Sequence, residues 1–541
     1  MKYSIEPRLN RLIAAGQQHL LCNGLKGLEK ESLRVTPDAR IAQTPHPAGL
    51  GAALTHPYIT TDYSEALIEL ITPAFSDSAD TLAFLGDLHR FVYQSLGDEL
   101  LWPLSMPCEI SGDESIPIAE YGTSNIGKMK HVYRRGLAWR YGRAMQAIAG
   151  VHFNYSLNEA LWPVWHELNG RPGSLRDFIA DQYFGLIRNV KRYGWLVLYA
   201  FGASPAMAKS FFKGREELTG RFREFDSATL YRPYATSLRM SDIGYRNDSQ
   251  SELDISCNSL DEYVRSLARA VNTHYPPYEA IGIKVNGEYR QLNANILQIS
   301  NEYYSLIRPK QVTESGERPV LALRRRGLRY VELRSVDLGG VHPVGVSIEQ
   351  LRFLELFMLY CFLMESPPIV DQEKNECALN PLSVACCGRT PGYVLIRGGK
   401  DVSLLSWAAE MVAEIGKIAS ILDLVTGGNA YQDSVDLVRA MVDDPEATPS
   451  ARMLEEMQWR SESFSELGMR QAELNKQALN VKSLPADRRR EFELAADQSK
   501  LKQQAIEAGD DIDFEQFITR YFSQSLFEEV PEGDLRSAGA E

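Results

Sequence analysis

The chain has 541 residues, 44% hydrophobic and 24% charged, the composition of an ordinary globular protein with ample length for a large core. Disordered and collagen-like classes are excluded. Lysine and arginine number 58 against 71 aspartates and glutamates, a net charge of -13, so nucleic acid and anionic membrane are poor partners, although one local basic pocket for a phosphorylated ligand is compatible with that balance.

In chain order, residues 1–23 contain only short apolar pieces, too little for a secretory core. Seven cysteines, all outside C-x-x-C spacing, are too sparse and odd in number for a disulfide framework and point to a reducing compartment. The two greasiest segments, around Trp195–Ala208 and Leu356–Met364, fall short of a membrane span. A soluble cytoplasmic protein is expected. No internal repeat occurs. Between about residues 24 and 400, short alternating segments interleave with helical ones, which predicts an α+β fold.

The first alternating segment, Gly27–Val35, puts Glu29 and Glu31 on one side with Leu33 and Val35, and Leu28, Lys30, Ser32 and Arg34 on the other. Residues two apart on a strand are about 7 Å apart, which suits carboxylates serving neighbouring or shared cations. Thr60–Pro73 adds Asp62, Glu65 and Glu69. Asp62 with Glu65 three positions on fits a helix capping box; Glu69 then faces outward on that helix or sits in a strand from Leu67 to Thr72 that Pro73 ends.

Gly122 to Met129 matches a Walker A loop until its last position, where Met129 replaces the Ser or Thr that holds magnesium. A Gly-rich turn before a helix holding Tyr133 and Arg134 is expected instead. Val151–Tyr155 sets His152 and Asn154 opposite Val151, Phe153 and Tyr155. Gln291–Ile296 sets Gln291, Asn293 and Asn295 opposite Leu292, Ala294 and Ile296. The run Arg324-Arg325-Arg326 reads as a solvated basic patch or as an anion contact near Glu332. Tyr330–Asp337 places Glu332 and Arg334 on one face, and Ser366-Pro367-Pro368 reads as a surface loop. After Asp401 the pattern is almost wholly helical, with breaks at Thr426-Gly427-Gly428, Asp443-Asp444-Pro445 and Leu484-Pro485. We expect a catalytic core over 1–400 and a mainly helical region over 401–541 packed on it.

Any one of these strands reads as half-exposed, with its polar side in water, and His152 alone reads as a satisfied core histidine. Solvated faces usually mix Lys, Thr and Ser, whereas these four carry Glu, His, Asn and Arg, groups that bind hard cations and phosphates. No G-x-G-x-x-G, H-E-x-x-H or G-x-S-x-G is present, so dinucleotide binding, zinc proteolysis and α/β-hydrolase chemistry have no direct support.

Eight strings, in order across roughly residues 24–365, carry a resemblance. They are Gly27-Leu28-Glu29-Lys30-Glu31-Ser32-Leu33-Arg34, Thr60-Thr61-Asp62-Tyr63-Ser64-Glu65-Ala66-Leu67, Trp102-Pro103-Leu104-Ser105-Met106-Pro107-Cys108, Tyr121-Gly122-Thr123-Ser124-Asn125, Gly150-Val151-His152-Phe153-Asn154, Pro233-Tyr234-Ala235-Thr236-Ser237-Leu238-Arg239, Ile307-Arg308-Pro309-Lys310 and Tyr330-Val331-Glu332-Leu333-Arg334-Ser335. The sequence resembles the bacterial glutamate-cysteine ligases (γ-glutamylcysteine synthetase, type 1). The helical C-terminal third matches less distinctly.

That resemblance implies a curved, mainly antiparallel sheet with a glutamine-synthetase-like active site, surrounded by helices. It implies that Glu29, Glu31, Asp62, Glu69, His152 and Glu332 are ligands of two or three magnesium ions, with manganese as a substitute. By the same transfer, Arg334 steadies the transferring phosphoryl group, and Tyr133, Gln146, Arg239, Tyr245 and Tyr304 form the amino-acid pockets. The implied reaction joins the γ-carboxyl of L-glutamate to the amine of L-cysteine with ATP as co-substrate. A carboxylate must first be activated to acylate an amine, and a γ-glutamyl phosphate supplies that leaving group; oxygen-bound magnesium then balances the gathered negative charge. A monomer is expected, and feedback binding of glutathione is left open.

Overall fold

The computed structural model describes residues 4–244, 253–314 and 316–524. Its longest described strand, β1 (Leu25–Val35), spans the first alternating segment without a proline to interrupt it. Around it, β2 (Ile59–Thr61), β3 (Leu67–Ile71), β4 (Leu100–Leu101), β5 (Val151–Ser156), β6 (Ile307–Lys310) and β7 (Tyr330–Val336) complete a seven-stranded sheet. The order is β6-β7-β5-β1-β3-β2, with β4 joined to the end of β1, and every pairing is antiparallel. Pro309, which cannot donate to a ladder, lies in β6 at the sheet edge.

Two expectations change. Thr60–Pro73 is the β2–β3 hairpin and not a capped helix: Glu65 caps nothing helical but accepts from the backbone N–H of His46 and Glu120 at 2.8 and 2.9 Å. Gln291–Ile296 is not a strand. Its amides bond locally, with Asn293 Oδ1 accepting from Asn295 N at 3.0 Å and Gln298 Oε1 from Leu292 N at 3.0 Å, so backbone groups that a ladder would use are taken by side chains.

Helix α1 (Ser78–Tyr93) packs against β1 and β3, α2 (Asn125–Tyr141) runs beside the sheet's front, and α3 (Leu175–Tyr193) packs on α4 (Ile348–Leu363). The greasy segment foreseen around Leu356 is the second half of α4, where Leu356 to Leu363 are all buried because that stretch is apolar all round. No described helix is long and apolar enough to cross a membrane. The three predicted C-terminal breaks fall between helices: α5 (Leu404–Thr426), α6 (Ala430–Asp443), α7 (Pro449–Arg460), α8 (Phe464–Asn480), α9 (Ala486–Ala508) and α10 (Phe514–Ser523). Helices α5 and α6 pack on α4, α8 and α9 on α1, and α10 on α2. All seven cysteines are free thiols.

Candidate active site

Antiparallel register places residues directly opposite one another on the same face, and here it sets the polar groups of five strands in one row. Glu29 of β1 faces His152 of β5; Glu31 faces Glu69 of β3; Glu332 of β7 faces Asn154 of β5 on one side and Arg308 of β6 on the other. Glu31, His152 and Glu332 are buried, while Glu29 and Glu69 are half-buried. The β5–β7 register shifts between Leu333 and Val336, a bulge of the kind that re-aims side chains beside active sites, and Arg334 lies within it.

The contacts are close. His152 Nδ1 lies 3.2 Å from Glu29 Oε2 and 3.8 Å from Glu332 Oε1, and its Nε2 lies 3.6 Å from Glu31 Oε1. Asn154 Nδ2 donates to Glu29 Oε1 at 3.0 Å, and the Gly150 N–H donates to Glu31 Oε2 at 2.7 Å. Lys310 Nζ and Arg334 Nη1 reach Glu332 at 2.9 and 3.3 Å. Glu29, His152 and Glu332 each offer a donor atom, all within 4.8 Å of one another.

These carboxylates divide by their surroundings. Burial and the Glu332 charge push Glu29 up, yet the His152 hydrogen bond and Lys310 hold it below the ordinary carboxylate range. Burial likewise opposes ionisation of Glu332, and Lys310, Arg334 and His152 overcome it, holding that group well below the usual range. Glu31 is raised by burial and by Asp62, against the pull of His152, and Glu69 is raised well above the usual range by burial and by Glu29, Asp62 and Glu31. One end of the row is thus matched by protein cations and the other is short of positive charge. Opposed like charges such as Glu31 and Glu69 destabilise a sheet, and a set of hard oxygen donors with one imidazole suits a divalent cation.

The row floors a cleft of about 920 Å³ that Asp62, Tyr133, Gln146, Tyr304 and Arg334 also line. Tyr304 donates to Gln146 Oε1 at 3.4 Å, while the buried Gln146 Nε2 has no partner among the described residues. Burial pushes the Tyr304 hydroxyl up to about 12, so it acts as a neutral donor. Arg239 is placed differently. It lies beneath β7, donating to the carbonyls of Arg334 and Val336 at 2.8 and 3.4 Å, and lines an adjoining cavity of about 150 Å³ that shares Tyr304 and Arg334 with the cleft. A Cβ on Gly150 would fall 2.1 Å from its Nη2, so only glycine admits that close approach. Tyr245 lies outside the described residues.

The Walker-like stretch is the expected turn and helix start. Ser124 caps α2, and the free N–H groups of Thr123 and Asn125 are occupied by Glu507 and Asp510 at 2.8 and 2.5 Å. Acids at this helix start take the place a phosphate would need. The Arg324–Arg326 run ends a short helix and pairs with Glu314 and Glu317 at the surface. Sequence reasoning gave no role to Arg308, Lys310, Lys130 and Arg134, all of which line the cleft, nor to Lys502 and Tyr521, which reach it from α9 and α10. The alternation of Arg308 and Lys310 was the readable signal; the C-terminal pair left none.

The family model for glutamate-cysteine ligase matches residues 9–384. A glutamate-cysteine ligase of Pseudomonas entomophila is 49% identical, covering 97% of this chain and 99% of that protein, and one of Alcanivorax borkumensis is 48% identical, covering 96% and 99%. Among solved structures, the glutamate-cysteine ligase of Francisella tularensis in complex with AMP superposes with a TM-score of 0.85 at 34% identity, covering 93% of this chain and 98% of that one. A family model that spans all seven strands of the sheet and end-to-end likeness to these relatives agree with each other: the chain belongs to the glutamate-cysteine ligase family.

Proposed function

We propose that the chain joins the γ-carboxyl of L-glutamate to the amino group of L-cysteine, using ATP through a γ-glutamyl phosphate and releasing ADP and phosphate, the first step of glutathione synthesis. The observation that carries this reading is the row of acids around His152, matched by Lys310 and Arg334 at one end and short of positive charge at the other. In this reading the sheet follows the glutamine-synthetase pattern, curved with its loaded face concave. Residues 1–400 carry the chemistry, and the described helices after residue 401 brace it and lend Lys502 and Tyr521 to the wall.

Glu29, Glu31, Asp62, Glu69, His152 and Glu332 would hold two or three magnesium ions, which, when bound, offset the charge of phosphates and carboxylate and align the displacement. Asn154 and the Gly150 N–H orient Glu29 and Glu31, as supporting hydrogen bonds do for ligating carboxylates. Arg334, always ionised, meets the oxygens of the phosphoryl group as it moves from ATP to the glutamate carboxylate; a cation in that role is worth about 10³-fold or more in rate. Tyr133, Gln146 and Tyr304 seat the amino acids in the cleft, while Arg239 forms part of the adjoining pocket. The cysteine amine then attacks the acyl carbon and phosphate leaves. Walls from α2, α9 and α10 keep water from the acyl phosphate meanwhile.

The test is phosphate release by the purified chain with ATP, magnesium and glutamate, with and without cysteine, and product identification by mass. Cysteine-dependent release with γ-glutamylcysteine formed is expected, and Glu29→Gln and Glu332→Gln should each abolish it while melting as folded proteins. Equal release without cysteine, or near-normal turnover in both variants, overturns the reading.

A further inference from the structure

Beyond the end of β7 the chain passes through Gly339-Gly340-Val341-His342 on its way to α4, and this loop forms one side of a separate cavity of about 320 Å³. That is the size of a small-ligand pocket, about 300–1,000 Å³. It shares no lining residue with the cleft. Leu104, Phe201, Leu437, Met441 and Met453 make its walls mainly apolar, which favours an occupant with a sizeable apolar part over a multiply charged ion or a sugar.

The polar groups of the cavity are few and specific. Helix α7 lays Pro449, Arg452, Met453 and Glu456 along it, the i, i+3, i+4 and i+7 positions of one helix face. Arg452 and Glu456 therefore stand one turn apart on the same wall. They do not pair with each other: Glu456 turns to Arg460 and Arg470 at 3.4 and 2.7 Å, and Arg452, exposed at the cavity's rim, has no carboxylate partner among the described residues. Gln471 of α8 is 6% exposed; its Nε2 donates to Glu456 at 3.4 Å, and its Oε1 has no hydrogen-bond partner among the described residues. An orphaned buried carbonyl is costly unless a donor is supplied. His342 is held below the usual imidazole range by burial, so it adds no second cation at neutral pH.

One unpartnered guanidinium, one carbonyl without a donor beside a carboxylate, and an apolar remainder together describe a small zwitterion with a greasy tail. We propose that this cavity binds a free α-amino acid with an apolar side chain. Its carboxylate meets Arg452, its ammonium meets Gln471 Oε1 and Glu456, and its side chain lies among Leu104, Phe201, Leu437, Met441 and Met453. Aliphatic and aromatic members of the class share these contacts, and the test below distinguishes them from molecules that lack either charged end.

Calorimetric titration of the full chain with L-leucine and with L-phenylalanine, in saturating L-glutamate, L-cysteine, non-hydrolysable ATP analogue and magnesium so that the cleft is filled, tests the assignment. Saturable binding of at least one amino acid is expected, with N-acetyl-L-leucine and L-leucinamide each weaker by about tenfold or more. Arg452→Gln, an exposed site, should weaken binding by about tenfold or more while turnover and melting temperature stay unchanged. Met453→Trp, which fills the cavity, should abolish it. No heat from either amino acid, or undiminished binding by Arg452→Gln, overturns the proposal.

Discussion

The two faces of β1 carry opposite charges and have opposite fates. On the back, Lys26, Lys30 and Arg34 are 1%, 3% and 0% exposed, and the protein pairs two of the three with carboxylates of its own. Lys26 meets Glu355 at 2.7 Å, whose other oxygen accepts from Tyr431 at 3.0 Å, and Arg34 meets Glu99 at 2.7 Å. Lys30 has only Ser32 and His89, and burial pulls its ammonium down to about 7. On the front, Glu31 stands opposite Glu69 with Asp62 near both, and both carboxylates are pushed up. Burial of charge is common to the two faces, so burial alone does not mark a site. The distinguishing feature is pairing: a buried charge matched by its own chain holds the fold, and one facing like charges calls for an added cation.

This contrast can be broken from either side. The largest effect belongs to the front: Arg334→Ala should lower kcat by about 10³-fold or more with little change in the KM for ATP, and steady-state kinetics showing the reverse split would make Arg334 a ground-state binder. On the back, Lys26→Met should cost about 3–5 kcal/mol in urea unfolding, because Glu355 is left as an unpaired buried charge. The double variant Lys26→Met, Glu355→Met should recover most of that loss and keep its turnover, since neither residue lines the cleft; a double variant as unstable as the single would remove the pairing argument.

A smaller change of opposite sign is expected at Glu69. Glu69→Gln removes one like charge from the row, so the metal-free protein should gain up to about 1 kcal/mol while turnover falls; a lower melting temperature in that variant would show that Glu69 is already satisfied. The smallest effect is at the surface, where Arg325→Gln should change stability by less than about 0.5 kcal/mol and leave activity alone.

Much of this site is legible in the sequence because Glu29 with Glu31 and His152 with Asn154 each lie within one regularly paired strand, where period two fixes the face, and Glu332 with Arg334 share one strand although Arg334 falls in its bulge. Asp62 and Glu69 were ambiguous for a physical reason: β2 and β3 have three and five residues, too short to display a period, and an acid three residues before another marks a hairpin turn as well as a helix start. Gln291–Ile296 mimics alternation, but amides that bond their own backbone dissolve the ladder. The burial of the basic back face of β1 is not legible because its partners are remote, with Glu99 and Glu355 lying 65 and 329 residues away from Arg34 and Lys26. Lys502 and Tyr521 reach the cleft only through the packing of α9 and α10, which no local pattern encodes.

The account rests on the front row being a divalent-cation site, and Mn2+ uptake measured by electron paramagnetic resonance, with neither nucleotide nor amino acid present, addresses it without reference to turnover. The wild-type chain is predicted to take up Mn2+, with Glu29→Gln and Glu332→Gln each losing uptake at an unchanged melting temperature. Full uptake by both variants, or none by the wild type, would contradict it.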